Sequence, residues 1–353
     1  MKILADASLP NISSYFKEPF ILNLYRTKDE LIKLLPTHDV LFCRSTLTVT
    51  KDLLDRTNLQ CVATASSGVD HIDVDYLKSH KITLLDAKGC NARAVADYVV
   101  ATLACLYRNN LMIGKRAGII GMGKVGTQVL QRLLAMGFDV IVYDPPRARA
   151  DKDHPYVSLT DLTSCDLLCV HANLHQTKPD PSANLLSADF LSQLKPGVVL
   201  INASRGGIVN ETDLLKTNIL IKYCTDVYLN EPHINSELVN YSTLCTPHIA
   251  GHSIEAKQRA VAMIGQQLHQ YYGVKENNLM LRMDISSVLL NNTNWIDSVL
   301  DIYNPMDDTL ELKKSTNKTK AFLKQRQAHQ NRHDFNCYNI SKLPTIEKKW
   351  LGQ

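Results

Sequence analysis

Arg205, Glu231 and His248 each stand just past a short apolar run, at 198–203, 223–227 and 243–245. A guanidinium is a planar fork of donors that grips a carboxylate at two points, which an ammonium cannot do. An imidazole takes a proton from a hydroxyl and returns it, and a carboxylate beside it stabilises the charged ring. Together the three types suit oxidation of an alcohol next to a carboxylate, provided a hydride acceptor is at hand. Taken singly, each reads more simply: a solvated charge, a cap before Pro232, a core histidine. Their recurrence at strand ends singles them out, because ligands of open parallel sheets bind at the carboxyl ends of strands.

The acceptor is indicated by Gly121, Gly123 and Gly126, a G-x-G-x-x-G set that follows an apolar run and opens a helical pattern at Lys124 and Val125. A second apolar run, 138–143, ends in Asp144. Glycines at these positions allow a tight turn, approach of backbone to a pyrophosphate and close packing of helix on strand. The helix N-terminus then stabilises the anion. Asp144 is placed to accept from ribose hydroxyls and to repel a 2′-phosphate, which favours NAD over NADP. Arg147 and Arg149 follow closely and are the only local counter-argument. Asp226, ending its own run, is expected on the cofactor side.

These residues need strands, and the pattern supplies them. Runs at 2–5, 40–43, 59–65 and 82–86 read as strands, with helices at 27–35 and 50–56 each opened by a Thr. A long amphipathic helix spans 91–108, and a second spans 253–272. The fold class expected is α/β. A Rossmann-type doubly wound parallel sheet domain covers 91–252. A discontinuous flavodoxin-like α/β domain is built from 1–90 and 253–276. A third, smaller unit covers 277–353, with an Asn/Ser-rich stretch at 286–294 and a basic helical run at 313–332.

Several stretches carry a resemblance. Residues 119–126, 194–206, Asp226-Val227 with Glu231-Pro232, and Thr246-Pro247-His248-Ile249-Ala250-Gly251 resemble the D-isomer-specific 2-hydroxyacid dehydrogenase family. The resemblance implies NAD-dependent oxidation of a phosphorylated 2-hydroxy acid. In it Arg205, Glu231 and His248 are catalytic, Asp144, Asp226 and Gly251 are cofactor contacts, and Ser45 and Ser66 are substrate contacts. It also implies a homodimer, with the 277–353 unit as a small α+β C-terminal dimerisation domain. The same pattern leaves open a related acid, 3-phosphoglycerate or hydroxypyruvate, and a non-enzymatic NAD-sensing regulator. The chain departs from the family pattern at Tyr228, Asn230, Asn173, His252, residues 7–9 and residues 332–334. A phosphate needs cationic and hydroxyl donors, which Arg44, Ser45, Thr46 and the Ser66-Ser67-Gly68 turn can supply. His252 would add a pH-dependent donor.

The remaining composition is ordinary. The chain has 353 residues, 45% hydrophobic and 21% charged, with a net charge of +4. No basic footprint for nucleic acid dominates, and the 313–332 run lacks interleaved aromatics. No apolar run reaches membrane-spanning length, and Asp6 interrupts any leader-like stretch, so a cytoplasmic protein is expected. The nine cysteines show no C-x-x-C pair, and no metal is expected.

Overall fold

The strands at Val40–Cys43, Cys61–Thr64, Leu167–Val170 and Val198–Asn202 are buried along their whole length. Strands with no solvent face need cover on both sides, which parallel sheets receive from crossover helices. The computed structural model describes residues 1–55, 57–151, 155–275, 294–329, 332–339 and 342–352. Contacts divide the chain into two units: Met1–Asn91 with Ile254–Asp284, and Ala92–Ser253 with Ile285–Gln353.

The first unit holds β1 (Lys2–Asp6), β2 (Ile21–Tyr25), β3 (Val40–Cys43), β4 (Cys61–Thr64) and β5 (Thr83–Asp86) in a parallel sheet ordered β2-β1-β3-β4-β5. The sequence reading omits β2, an edge strand whose alternating Ile-Leu-Asn-Leu-Tyr leaves Ile21 54% exposed. Thr27 caps the Lys28–Leu34 helix with a full capping box, accepting from the Glu30 N–H at 3.2 Å. Thr50 precedes Lys51–Leu54 without a side-chain cap. The Ile254–Tyr271 helix buries Ala260, Val261, Ile264 and Leu268 in the core beneath β1, β3 and β4.

The second unit holds β6 (Arg116–Ile120), β7 (Asp139–Tyr143), β8 (Leu167–Val170), β9 (Val198–Asn202), β10 (Ile221–Thr225) and β11 (Leu244–Cys245), all parallel, ordered β11-β10-β9-β8-β6-β7. β10 begins and ends two residues earlier than its apolar run suggests. The Ala92–Arg108 and Lys124–Ala135 helices pack on this sheet in one core with Ile119, Val142 and Ile201.

The C-terminal segment is described in part. Its described residues form helices Trp295–Ile302, Pro305–Lys314, Lys318–Ala328 and Thr345–Trp350, and no strand occurs among them. They group with the second unit, because Val299, Leu300, Phe335 and Leu351 lie in the same core as the nucleotide-type sheet. The single basic run at 313–332 is broken at residues 315–317, where Asn317 caps the next helix. The Asn/Ser-rich stretch lies outside the described residues apart from Asn294, itself the cap of Trp295–Ile302. No helix among the described residues is long and apolar enough to cross a membrane.

One buried carboxylate ties this segment down. Asp97, 1% exposed, pairs with Arg132 and accepts the Phe335 N–H at 2.9 Å. Burial pushes its pKa up to about 6, against the pull of Arg132. Removing it leaves a buried guanidinium and an orphan N–H. Asp97→Ala is therefore expected to cost about 3 kcal/mol or more in urea unfolding at pH 7. Asp97→Asn, which keeps an acceptor, should cost less. Equal, small losses for both would show that the network carries no stability.

Candidate active site

In the second unit the strand order reverses direction between β6 and β8, and a ligand crevice is expected at the carboxyl ends of strands flanking such a point. The loop after β6 is the glycine set. Gly121 has φ +95°, which L side chains rarely adopt, and a Cβ there would sit 2.5 Å from the Ala172 nitrogen. A Cβ on Gly126 would meet the Gly121 carbonyl oxygen at 2.1 Å, so helix and loop touch only because that atom is missing. A Cβ on Gly123 meets nothing within 4 Å. Open space therefore lies over the start of the Lys124–Ala135 helix, where Gly123 is the cap and provides no side-chain acceptor for the first N–H groups. Lys124 is exposed and Val125 half-buried there. This is the cradle a dinucleotide pyrophosphate fits.

Asp144 follows β7 and is half-buried. Its Oδ2 accepts the Met122 N–H at 2.7 Å and its Oδ1 the Arg147 N–H at 3.0 Å. A carboxylate has about four acceptor positions, so two remain for ribose hydroxyls. Arg149 is paired with Asp180 at 2.5 Å, which weakens the argument for a 2′-phosphate.

His248 and Glu231 meet. Imidazole Nδ1 lies 2.6 Å from Glu231 Oε2, with the side chains 31% and 21% exposed. Burial alone would raise the Glu231 carboxyl. His248, the Tyr228 N–H on Oε1 at 3.0 Å and the nearby Arg326 guanidinium together hold it below its ordinary value. An ionised carboxylate only accepts, so Nδ1 carries the proton and the neutral ring presents the Nε2 lone pair on its far side.

His248 has φ +56°, a left-handed conformation unusual for a residue other than glycine. Asp226 holds it there. Its Oδ1 accepts from Thr246 Oγ1 at 2.7 Å and Ile249 N–H at 2.8 Å, and its Oδ2 accepts from Ala250 N–H at 2.8 Å. Asp226 was expected as a cofactor contact. It is 0% exposed, and its carboxylate is committed to the His248 turn. Gly251 ends that turn and is half-buried.

Arg205 follows β9, the neighbour of β10, so the three catalytic candidates stand at the carboxyl edge of three adjacent strands. The Asn202 side chain folds its turn, donating to the Arg205 carbonyl at 3.0 Å and accepting the Ser204 N–H at 3.2 Å. Arg205 Nη1 donates to the Ser204 carbonyl at 2.8 Å.

The remaining candidates are distributed as follows. Arg44 and Ser45 follow β3 and Ser66 lies just past β4, adjacent strands of the first unit. Arg44 donates to Ser8 Oγ, Ser45 is exposed, and Ser66 donates to the Gly68 carbonyl at 2.6 Å. His252 is in the second unit, with Nδ1 3.3 Å from the His329 carbonyl oxygen. Among the described residues, no group of His, Cys, Asp or Glu is arranged to hold a metal ion.

Two residues escaped the sequence reading. His171 directly follows β8, is 8% exposed, and neither ring nitrogen has a partner among the described residues. Burial holds it neutral, its pKa pushed down to about 3. Its signal was the one used for His248, a polar residue just past an apolar run. Tyr228, noted only as a departure, braces both halves of the dyad: its N–H reaches Glu231 and its hydroxyl donates to the Thr246 carbonyl at 3.1 Å. No local pattern announces that role.

Comparison with known proteins identifies the family. Residues 102–250 match the family model for the D-isomer specific 2-hydroxyacid dehydrogenase NAD binding domain. Erythronate-4-phosphate dehydrogenase of Legionella pneumophila subsp. pneumophila (strain Philadelphia 1) is 52% identical over 350 residues, covering 98% of this chain and 100% of that protein. The protein of that name from Coxiella burnetii (strain RSA 493) is 40% identical over 278 residues, 78% of this chain and 76% of its own. Among solved structures, NAD-dependent formate dehydrogenase from Staphylococcus aureus in complex with NAD aligns with a TM-score of 0.63 at 24% identity, over 79% of this chain and 98% of that one. That last likeness concerns the fold.

Asp144→Ser should weaken NAD binding by about 10-fold or more, the worth of a hydrogen bond to a charged group, and narrow the preference over NADP. Fluorescence titration with NADH and NADPH measures both. An unchanged ratio would remove Asp144 from the cofactor site.

Proposed function

This chain belongs to the D-isomer-specific 2-hydroxyacid dehydrogenase family, and on that premise we propose that it oxidises 4-phospho-D-erythronate at C2. The product is 3-hydroxy-2-oxo-4-phosphooxybutanoate, in an early step of pyridoxal 5′-phosphate synthesis. The enzyme is an NAD-dependent oxidoreductase. The observation that carries the catalytic reading is the 2.6 Å contact between His248 and Glu231 at the carboxyl edge of the nucleotide sheet.

The chain's own residues divide the work. Arg205 grips the substrate carboxylate and so fixes the orientation of C2. His248, with Nδ1 committed to Glu231, takes the C2 hydroxyl proton at Nε2. Glu231 stabilises the imidazolium that results and keeps the ring in the productive tautomer. NAD, when bound, supplies the hydride acceptor. The glycine loop and the first turn of the Lys124–Ala135 helix hold its pyrophosphate, Asp144 its ribose, and Gly251 the approach to the nicotinamide. Arg44, Ser45, Ser66 and His252 contact the substrate, with the basic and hydroxyl groups taking its phosphate. The protein works as a homodimer in the cytoplasm, with residues 277–353 contributing to the subunit interface. The near full-length likeness to relatives named for this substrate supports the choice of acid.

The test is absorbance at the NADH band with 4-phospho-D-erythronate and a 2-oxo acid acceptor, beside 3-phosphoglycerate and unphosphorylated erythronate. The expected preference in kcat/KM is at least ~10²-fold, because a site built for a polar group strongly rejects substrates lacking it. His248→Asn should lower kcat by about 10²–10⁴-fold, the usual contribution of a general base. Equal rates on all acids, or an unimpaired His248→Asn, would overturn the assignment.

A further inference from the structure

The C-terminal segment reaches the catalytic pair. Phe322 and Arg326 lie four positions apart on the Lys318–Ala328 helix and so share a face. Phe322 is 2% exposed and meets the Tyr228 ring edge-on, with centroids 5.9 Å apart. Tyr228 is the residue whose N–H holds Glu231 Oε1. One turn further along, Arg326 Nη1 lies 3.7 Å from Glu231 Oε2, the same oxygen that takes His248. The helix is thus docked by an aromatic contact on the loop it serves, and the docking delivers a guanidinium to the oxygen shared with the general base.

We propose that Arg326 is a positioning residue for the Glu231–His248 pair: it aligns the carboxylate, and by sharing that oxygen it limits how firmly the protonated imidazole is held. The proposal rests on the alcohol oxidation assigned above, and it gives the C-terminal helix a part in catalysis as well as in packing. The other charges around the pair are placed differently. Asp226 lies buried under the His248 turn. Glu211, which accepts the Leu229 N–H at 2.7 Å, repels Glu231. Arg205 stands past the neighbouring strand. His329, on the next turn after Arg326, lies 4.0 Å from Asp308. Lys324 pairs with Glu311 at 3.6 Å, both more than half exposed. Of these, Arg326 is the cation with an ion-pair contact to Glu231 from outside the strand-end loops.

The sign of the effect follows. Oxidation needs a neutral imidazole backed by an ionised carboxylate, so activity falls as pH drops. Without the Arg326 charge, the Glu231 carboxylate is shared by one cation fewer and binds a charged ring more tightly, which moves the acid limb to higher pH. Arg326→Gln should shift the acid limb of kcat/KM upward by about half to one pH unit, a modest effect for a partly exposed pair. It should lower kcat near neutral pH several-fold, with a smaller change in KM. Arg326→Lys, which keeps the charge, should restore most of the profile. A loss uniform across pH in Arg326→Gln, with no rescue by Lys, means the residue only holds the helix in place and overturns the proposal. Wild-type enzyme inactive on 4-phospho-D-erythronate but active on another 2-hydroxy acid would refute the substrate alone, and the same comparison run on that acid still decides Arg326. Inactivity of wild type on every 2-hydroxy acid overturns both.

Discussion

The site rests on one buried carboxylate. Asp226 has no exposed surface, and burial raises its pKa against the donors around it. A carboxyl in such a place is costly unless its oxygens are satisfied. Here the Thr246 hydroxyl and two successive backbone N–H groups satisfy them. The same bonds compel the chain to turn sharply after β11 and leave His248 in a left-handed conformation. Strain at a functional residue persists only where its surroundings over-determine it. The Tyr98 hydroxyl on Thr246 at 2.8 Å and the Tyr228 hydroxyl on the Thr246 carbonyl complete that enclosure. Without this turn the imidazole would not face Glu231, and the proton chemistry would lose its geometry.

The rest of the second unit is arranged around the edge where this turn emerges. Parallel strands deliver chain ends to one side of a sheet, and five of the six strand ends place polar groups there: Asp144 after β7, His171 after β8, Arg205 after β9, Asp226 and Glu231 after β10, and His248 after β11. The rigidity of fully buried strands such as Val198–Asn202 makes the edge a fixed template. Loops between strand and helix are then free to carry chemistry, since packing is secured below them. The glycine loop differs only in what it lacks, side chains that would fill the approach to the helix start.

The C-terminal segment is bound to this unit through polar groups as well as apolar ones. Asp97 joins the Ala92–Arg108 helix to Arg132 and to the backbone of Phe335. Arg332 donates to the carbonyls of Ala250 and His252, at 2.7 Å and 3.1 Å, and lies over the Tyr303 ring. Asp334 accepts from Ser253 at 2.6 Å. Residues 250–253 are the continuation of the His248 turn, so the segment grips the catalytic loop from behind while Arg326 meets its partner Glu231. A change in how this segment packs would therefore be felt at the general base.

The sequence alone determined the parallel sheets, the dinucleotide loop with Asp144, and the strand ends that bear Arg205, Glu231 and His248. Those features are local: burial pattern along a strand, glycines at fixed spacing and polar residues just past an apolar run all act within a few positions. Edge strand β2 escaped because half of it faces solvent and its composition is mixed. Only the tertiary structure decided that Asp226 lies buried beneath the His248 turn, that His171 is buried past β8, that Tyr228 braces the Glu231–His248 pair, that the C-terminal helices share the core of the nucleotide unit, and that Arg326 reaches Glu231. Each of those is a contact between residues distant in the chain. Such contacts are set by how faces pack, and neighbouring residues carry no record of them.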